Sequence, residues 1–260
     1  MKLIFVRHGD PDYANDTITE KGLRDAELLA RRILKWDVTD FYCSPLGRAK
    51  ATAACTLDKL GRSAVTLDWM REFSYMIDDP VTGRHGVPWD FVPSYWSNEP
   101  LMFDQNRWVD ADVMGQNPQI GIKYKETCQH LDEFLAGYGY HRKDKYYQTD
   151  KEEIFLTSTI APNGATNVDS LVRREKEPVV VIFCHLGIIC VVLSHLLNIP
   201  FPLLVHGFFL PTTSLTILSS EERWGREAYF RVQAMGDMAH LMGSEEPISS
   251  AGYFAKAFQG

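Results

Sequence analysis

The chain has 260 residues, 45% of them apolar and 23% charged, with a formal net charge of -7 and a pI near 5.6. That is enough apolar material for a large core, and it argues against wholesale disorder. The acidic balance argues against a nucleic-acid binder, which presents a basic face. No apolar run is long enough to cross a membrane; the longest, residues 179–197, is interrupted by His185, Ser194 and His195. The five cysteines are scattered, with no C-x-x-C pair, as expected for reduced core thiols in a cytoplasmic protein.

Residues 3–6 form a continuous apolar run, too short for a signal peptide and suited to a strand buried on both faces. A loop follows. Thr19 then offers an N-cap for a helix whose apolar positions Leu23, Ala26, Leu29, Ala30, Ile33 and Leu34 recur at helical spacing. Residues 41–43 read as a second strand. Ser44-Pro45 reads as the N-cap and first residue of a helix over 46–60, and Gly61 ends it. The first sixty residues thus read β-α-β-α.

From Phe73 to about Pro118 the chain is rich in aromatics, Pro, Gly and Asp, with weak periodicity. A stretch this long suggests a lid or insertion. A helical pattern returns over 125–138, and 140–164 reads as polar and irregular. Residues 179–184 are the strongest strand signal, followed by His185-Leu186-Gly187 and a helix over 188–197. Residues 213–218 and 229–234 read as late strands. The alternation predicts an α/β layered sheet in a single domain over 1–260, with a cap over 73–176.

Three segments share one design. Arg7-His8-Gly9 follows the first strand, Ser44–Arg48 bridges a strand and a helix, and His185 follows the strongest strand. In open α/β sheets, ligands bind beyond the carboxyl ends of the strands. If these strands run parallel, one edge gathers two guanidiniums, two imidazoles and a helix N-terminus. A phosphate carries roughly -1.5 to -2 charge at neutral pH. Arginine forks match its oxygens, and each charged hydrogen bond is worth about 1.5–3 kcal/mol. Taken singly, Arg7 is an ordinary strand-end charge, Arg48 a solvated helix residue and His185 a core histidine; their joint placement favours a phosphate pocket. No H-x-H or H-E-x-x-H spacing suggests a metal, and no cofactor is expected.

These residues also carry a family resemblance. Arg7-His8-Gly9, Ile18-Thr19-x-x-Gly22, Ser44-Pro45-Leu46-x-Arg48-Ala49, Arg71-Glu72-Phe73, the strand ending in His185, and Thr213-Ser214-Leu215-Thr216 together resemble the histidine phosphatase superfamily, phosphoglycerate mutase-like, of the branch 1 type. The resemblance implies a three-layer α/β/α sandwich with a mixed, mostly parallel sheet and a cap insertion. It implies phosphomonoester hydrolysis on a small phosphorylated metabolite through a phosphohistidine at His8. Arg7, Arg48 and His185 would hold the phosphoryl oxygens, and Glu72 would be the general acid and base. Asp68, Asp78 and Asp79 are alternative acids. Two alternative functions are a mutase-type phosphotransferase and a non-catalytic phospholigand-binding protein. Partners would be small molecules rather than nucleic acid or membrane, with a homodimer allowed for. The sequence departs from the family pattern at Leu186, between His185 and Gly187. It departs also at Asn15, one residue out of step, and at Asp10-Pro11-Asp12, which leans towards phosphatase.

Overall fold

The computed structural model of the chain describes residues 1–150, 177–223 and 226–259, and the backbone of 159–160 and 166–167. Its centre is an eight-stranded sheet. The strands are β1 (Lys2–Arg7), β2 (Asp40–Cys43), β3 (Val65–Thr66), β4 (Tyr140–Lys143), β5 (Tyr146–Thr149), β6 (Val179–Cys184), β7 (Leu215–Arg223) and β8 (Glu227–Asp237). Their order is β3-β2-β6-β1-β7-β8-β5-β4. The pairs β3–β2, β2–β6 and β6–β1 are parallel. From β1 through β7 and β8 to β5 and β4 the pairing is antiparallel. The sheet is mixed, and its parallel half brings the ends of β1, β2 and β6 to one edge.

Five longer helices flank it: α1 (Glu20–Ile33), α2 (Gly47–Leu60), α3 (Gln119–Ala136), α4 (Leu186–Leu197) and α5 (Phe201–Gly207). Side chains alternate along the central strands, as the pleat requires. Ile4, Val6, Val181 and Phe183 pack with Leu29 and Ile33 of α1 and Ala49, Ala53 and Leu57 of α2. Leu3, Phe5, Val180 and Ile182 pack on the other face with α3, α4 and α5. Helices on both faces explain why β1 and β6 are apolar at nearly every position. The three-layer arrangement follows.

Several boundaries differ from the sequence reading. Thr19 does cap α1, accepting the Gly22 N–H at 3.0 Å. Ser44 does not cap α2, which starts at Gly47; the Asp16 carboxylate takes the Gly47 N–H at 2.7 Å instead. That close approach needs glycine, since a Cβ at Gly47 would lie 2.1 Å from the Asp16 carbonyl oxygen. Helix α3 begins at Gln119, six residues before its expected start, because Ile120 also reaches the core. Within the stretch read as irregular, β4 and β5 form a hairpin that extends the sheet. The late strands lengthen into a β7–β8 hairpin.

The expected cap over 73–176 lies partly outside the described residues, at 151–158, 161–165 and 168–176. Residues 73–118 hold short helical turns at Pro93–Trp96, Pro100–Phe103, Trp108–Asp110 and Asp112–Gly115. Their aromatics join the core around α5. Phe73 and Trp108 lie 5.2 and 5.1 Å from the Phe201 ring, and Trp89 lies 6.3 Å from it.

Candidate active site

Strand β1 ends at Arg7, and the His8 N–H continues its ladder onto the Cys184 carbonyl at 2.9 Å. His8 is 1% exposed. Its Nδ1 lies 2.7 Å from the Gly9 carbonyl oxygen. A carbonyl can only accept, so Nδ1 carries the proton and Nε2 keeps its lone pair. Burial, then the Arg7 charge, pushes the imidazole pKa down to about 3. His8 is therefore a neutral base with one free nitrogen at neutral pH.

His185 sits at the end of β6, on the parallel neighbour of β1. The two rings lie 5.1 Å apart, tilted by 54°. His185 Nε2 is 2.7 Å from Ser44 Oγ, at the end of β2. The Ser-Pro pair thus serves the imidazole rather than the helix. Burial and the neighbouring His8 hold His185 well below its ordinary pKa.

Both arginines are held through their terminal nitrogens. Arg7 donates through Nη1 to the Leu210 carbonyl at 2.5 Å and through Nη2 to the Ala251 carbonyl at 3.2 Å. Arg48 donates through Nη1 to Asp16 at 2.7 Å, and its guanidinium lies 5.5 Å from the Tyr13 ring centre. Among the described residues, Arg7 Nε, Arg48 Nε and His185 Nδ1 are buried without a hydrogen-bond partner. Buried polar groups are nearly always satisfied, so three unpartnered nitrogens on adjacent elements mark a place for a ligand rich in acceptors.

Glu72 lies against the N-terminus of α4. Its Oε1 accepts the Phe73 N–H at 2.8 Å and the Ile188 N–H at 3.2 Å. Burial raises its pKa, against the opposing pull of those hydrogen bonds and of Arg7 and Arg48. Gly187 makes the approach feasible, because a Cβ there would lie 2.7 Å from both Glu72 Oε1 and the Trp89 ring. Leu186 meanwhile packs into the core. The His-Leu-Gly spelling thus keeps its glycine where the carboxylate needs it. Among the alternative acids, Asp78 is exposed and bound to His85 at 2.7 Å, Asp79 caps a turn, and Asp68 is exposed. The structure adds Asp90, also exposed and in the left-handed region at φ 66°, its carboxyl pushed up to about 6 by partial desolvation against the opposing charges of Arg84 and Arg7.

Asn15 faces Asp12, its amide donating to that carboxylate at 2.7 Å, and is exposed. Arg84, His85 and Arg107 are also exposed. The weakly patterned tail was not legible as part of the site. Ser249 Oγ donates to Asp10 at 2.5 Å, Ala251 lies on Arg7, and Tyr253 stacks on Phe209 at 4.2 Å. Among the described residues, no group of three or more His, Cys, Asp or Glu side chains could hold a metal ion. No helix among them is long and apolar enough to cross a membrane.

Comparison with known proteins reaches the family suggested by the motifs. Residues 3–83 match the histidine phosphatase superfamily (branch 1). The chain is 36% identical over 73 residues to a 2,3-bisphosphoglycerate-dependent phosphoglycerate mutase of Thermoplasma acidophilum, covering 24% of this chain and 36% of that protein. It spans only about a third of that relative's length. It is 25% identical over 156 residues to a putative phosphoserine phosphatase 2 of Hydrogenobacter thermophilus, covering 56% of this chain and 69% of that protein. A mutant phosphoserine phosphatase from Entamoeba histolytica, crystallised with phosphoserine, shares the fold: TM-score 0.56, 17% identity, 92% of this chain and 98% of that one. So does a mycobacterial glucosyl-3-phosphoglycerate phosphatase: TM-score 0.52, 18% identity, 90% of this chain and 98% of that one.

Proposed function

We propose that this chain, which carries the fold and the N-terminal motif of the histidine phosphatase superfamily, hydrolyses small phosphomonoesters through a phosphohistidine at His8. The observation that carries this is the Nε2 lone pair of a neutral His8, beside two buried guanidinium N–H groups and a buried imidazole nitrogen that lack partners among the described residues. In this reading the phosphoryl oxygens accept from Arg7 Nε, Arg48 Nε and His185 Nδ1, with His185 in the tautomer that carries its proton on Nδ1. His8 Nε2 attacks phosphorus as the ester P–O bond breaks. Glu72, whose pKa burial raises, gives its proton to the leaving oxygen. Water then attacks phosphorus, Glu72 takes the water's proton, and the N–P bond breaks to release phosphate. Two modest displacements replace one hard one, and the fixed positive charges lower both barriers.

The side chains carry every step, so activity is expected to survive chelation. The phosphorylated groups named for the similar proteins, phosphoserine and phosphoglycerate derivatives, are the substrates to try first. The cap over 73–176, a cytoplasmic location and a homodimer belong to the same reading, with neither nucleic acid nor membrane as partner. A mutase reading draws on the 73-residue match to a mutase. The two differ in the fate of the phosphoryl group, which leaves as free phosphate in one and passes to a second substrate in the other.

The test is a labelled phosphomonoester quenched in alkali. An alkali-stable, acid-labile label on the protein, lost in His8→Ala with turnover, is expected. No label and no turnover across a phosphomonoester panel would remove the proposal.

A further inference from the structure

The end of α1 and the turn after β8 border an open cleft of about 360 Å³, lined by Leu28, Arg31, Arg32, Lys35, Ala239 and His240. Arg32 is bound to Asp237 by two hydrogen bonds of 3.0 and 2.6 Å. Arg31 and Lys35 are exposed and have no carboxylate partner among the described residues. Basic residues in a last helical turn complement the helix dipole, which accounts for Arg31 and Arg32. It does not account for His240.

The His240 imidazole is 9% exposed, its Nε2 lies 3.0 Å from Thr213 Oγ1, and its Nδ1 is buried without a partner among the described residues. The proton positions follow from the neighbours. Thr213 Oγ1 donates its one hydrogen to the Thr212 carbonyl at 2.7 Å. It must therefore accept from His240, so Nε2 bears the ring proton. Burial lowers the His240 pKa to about 4, so the ring is neutral near pH 7 and Nδ1 offers a lone pair. A ligand that reached all three side chains would need acceptor oxygens for Arg31 and Lys35 and an O–H donor for Nδ1. Hydrogen phosphate has both. Sulfate has the oxygens and no O–H.

We propose that this cleft is a second oxyanion site, selective for inorganic hydrogen phosphate, whose oxygens pair with Arg31 and Lys35 and whose hydroxyl donates to His240 Nδ1. The site reaches the nucleophile through a short chain. Thr213 sits in the left-handed region at φ 62°, and its N–H is shared between the carbonyls of Arg7 and His8 at 3.0 and 3.1 Å. His240 is thus two hydrogen bonds, and an occupant three, from the His8 backbone. Inorganic phosphate is the product under the proposed function, which would make the site a product sensor; the binding claim itself does not rest on that reaction.

The test is a titration of the full chain with inorganic phosphate at low ionic strength, where exposed charges are least screened. The readout is the imidazole resonance of His240, assigned with a His240→Gln variant. The expected result is a saturable shift with phosphate and an affinity for sulfate, at equal ionic strength, weaker by about tenfold or more, the worth of one charge-assisted hydrogen bond. An Arg31→Ala/Lys35→Ala variant, altered only at exposed positions, is expected to bind phosphate here at least about tenfold more weakly. A His240 resonance that phosphate leaves unmoved, that sulfate moves equally, or that responds unchanged in the double variant would overturn the proposal. None of these outcomes depends on turnover, so failure of the catalytic reading would be seen separately.

Discussion

The strand ends and the C-terminal segment both reach Arg7, and they hold it on different terms. His8 and His185 stand on adjacent parallel strands whose register is fixed along six residue pairs. Apolar side chains on both sheet faces lock those strands in place. The segment from Ser249 to Tyr253 arrives as irregular chain. A serine on Asp10, one carbonyl on Arg7 and one aromatic stack hold it there. Phosphoryl transfer needs its reacting groups placed to within fractions of an ångström. A ladder supplies that and a tail does not, so the proposed chemistry is assigned to the strand ends.

Substitutions can break or sharpen this contrast. Glu72→Gln is expected to lower kcat about 10²–10⁴-fold with an alkyl phosphate, the usual worth of a general acid. The loss should shrink with a p-nitrophenyl ester, whose leaving group needs no proton, and Asp90→Asn should cost far less. The reverse ranking would move the acid to Asp90. Gly187→Ala is next, with kcat reduced about tenfold, because the new Cβ would displace the carboxylate from the α4 N-terminus. Stopped-flow turnover compared with a thermal melt separates this from unfolding. Ser249→Ala with Tyr253→Ala should change kcat/KM by less than about tenfold, since these two side chains supply one hydrogen bond and one ring stack. A loss as large as that of Glu72→Gln would place the tail in the chemistry.

Stability should report the buried imidazoles. His8 resists protonation down to about 3, and His206 and His240 down to about 4, whereas unfolded histidines titrate near 6.5. The unfolded chain therefore binds more protons as pH falls below about 6.5, and stability falls through that window. Each tenfold change in proton affinity is worth about 1.4 kcal/mol. Glu72 and Asp25, raised by burial, offset part of this. Melting temperature is expected to drop steadily between pH 6.5 and about 4; a flat profile would contradict the buried neutral imidazoles.

The parallel half of the sheet was legible in the sequence because burial on both faces leaves continuous apolar runs at residues 3–6 and 179–184, each ending on a functional histidine candidate. Ser44 and Arg48 were legible as a motif, but the role of Ser44 was not. A Ser-Pro pair before a helix fits a cap, and only the register of β2 against β6 brings that hydroxyl to His185. The hairpin β4–β5 was missed because Tyr140, Tyr147 and Thr149 are the buried positions of an otherwise charged and polar edge. The tail was invisible for a related reason. Its contacts are single side chains and carbonyls without periodicity, and a carbonyl on Arg7 leaves no mark in residue type. Asp16 and His240 likewise acquire meaning only from partners far away in the chain.

The central claim, that His8 Nε2 receives the phosphoryl group, is tested most directly by rapid alkaline quench and mass spectrometry with NMR of the phosphopeptide. One phosphoryl group on Nε2 of His8 is expected, because Nδ1 is committed to the Gly9 carbonyl. A phosphoryl group on Nδ1, on another residue, or on none during measurable turnover would contradict it.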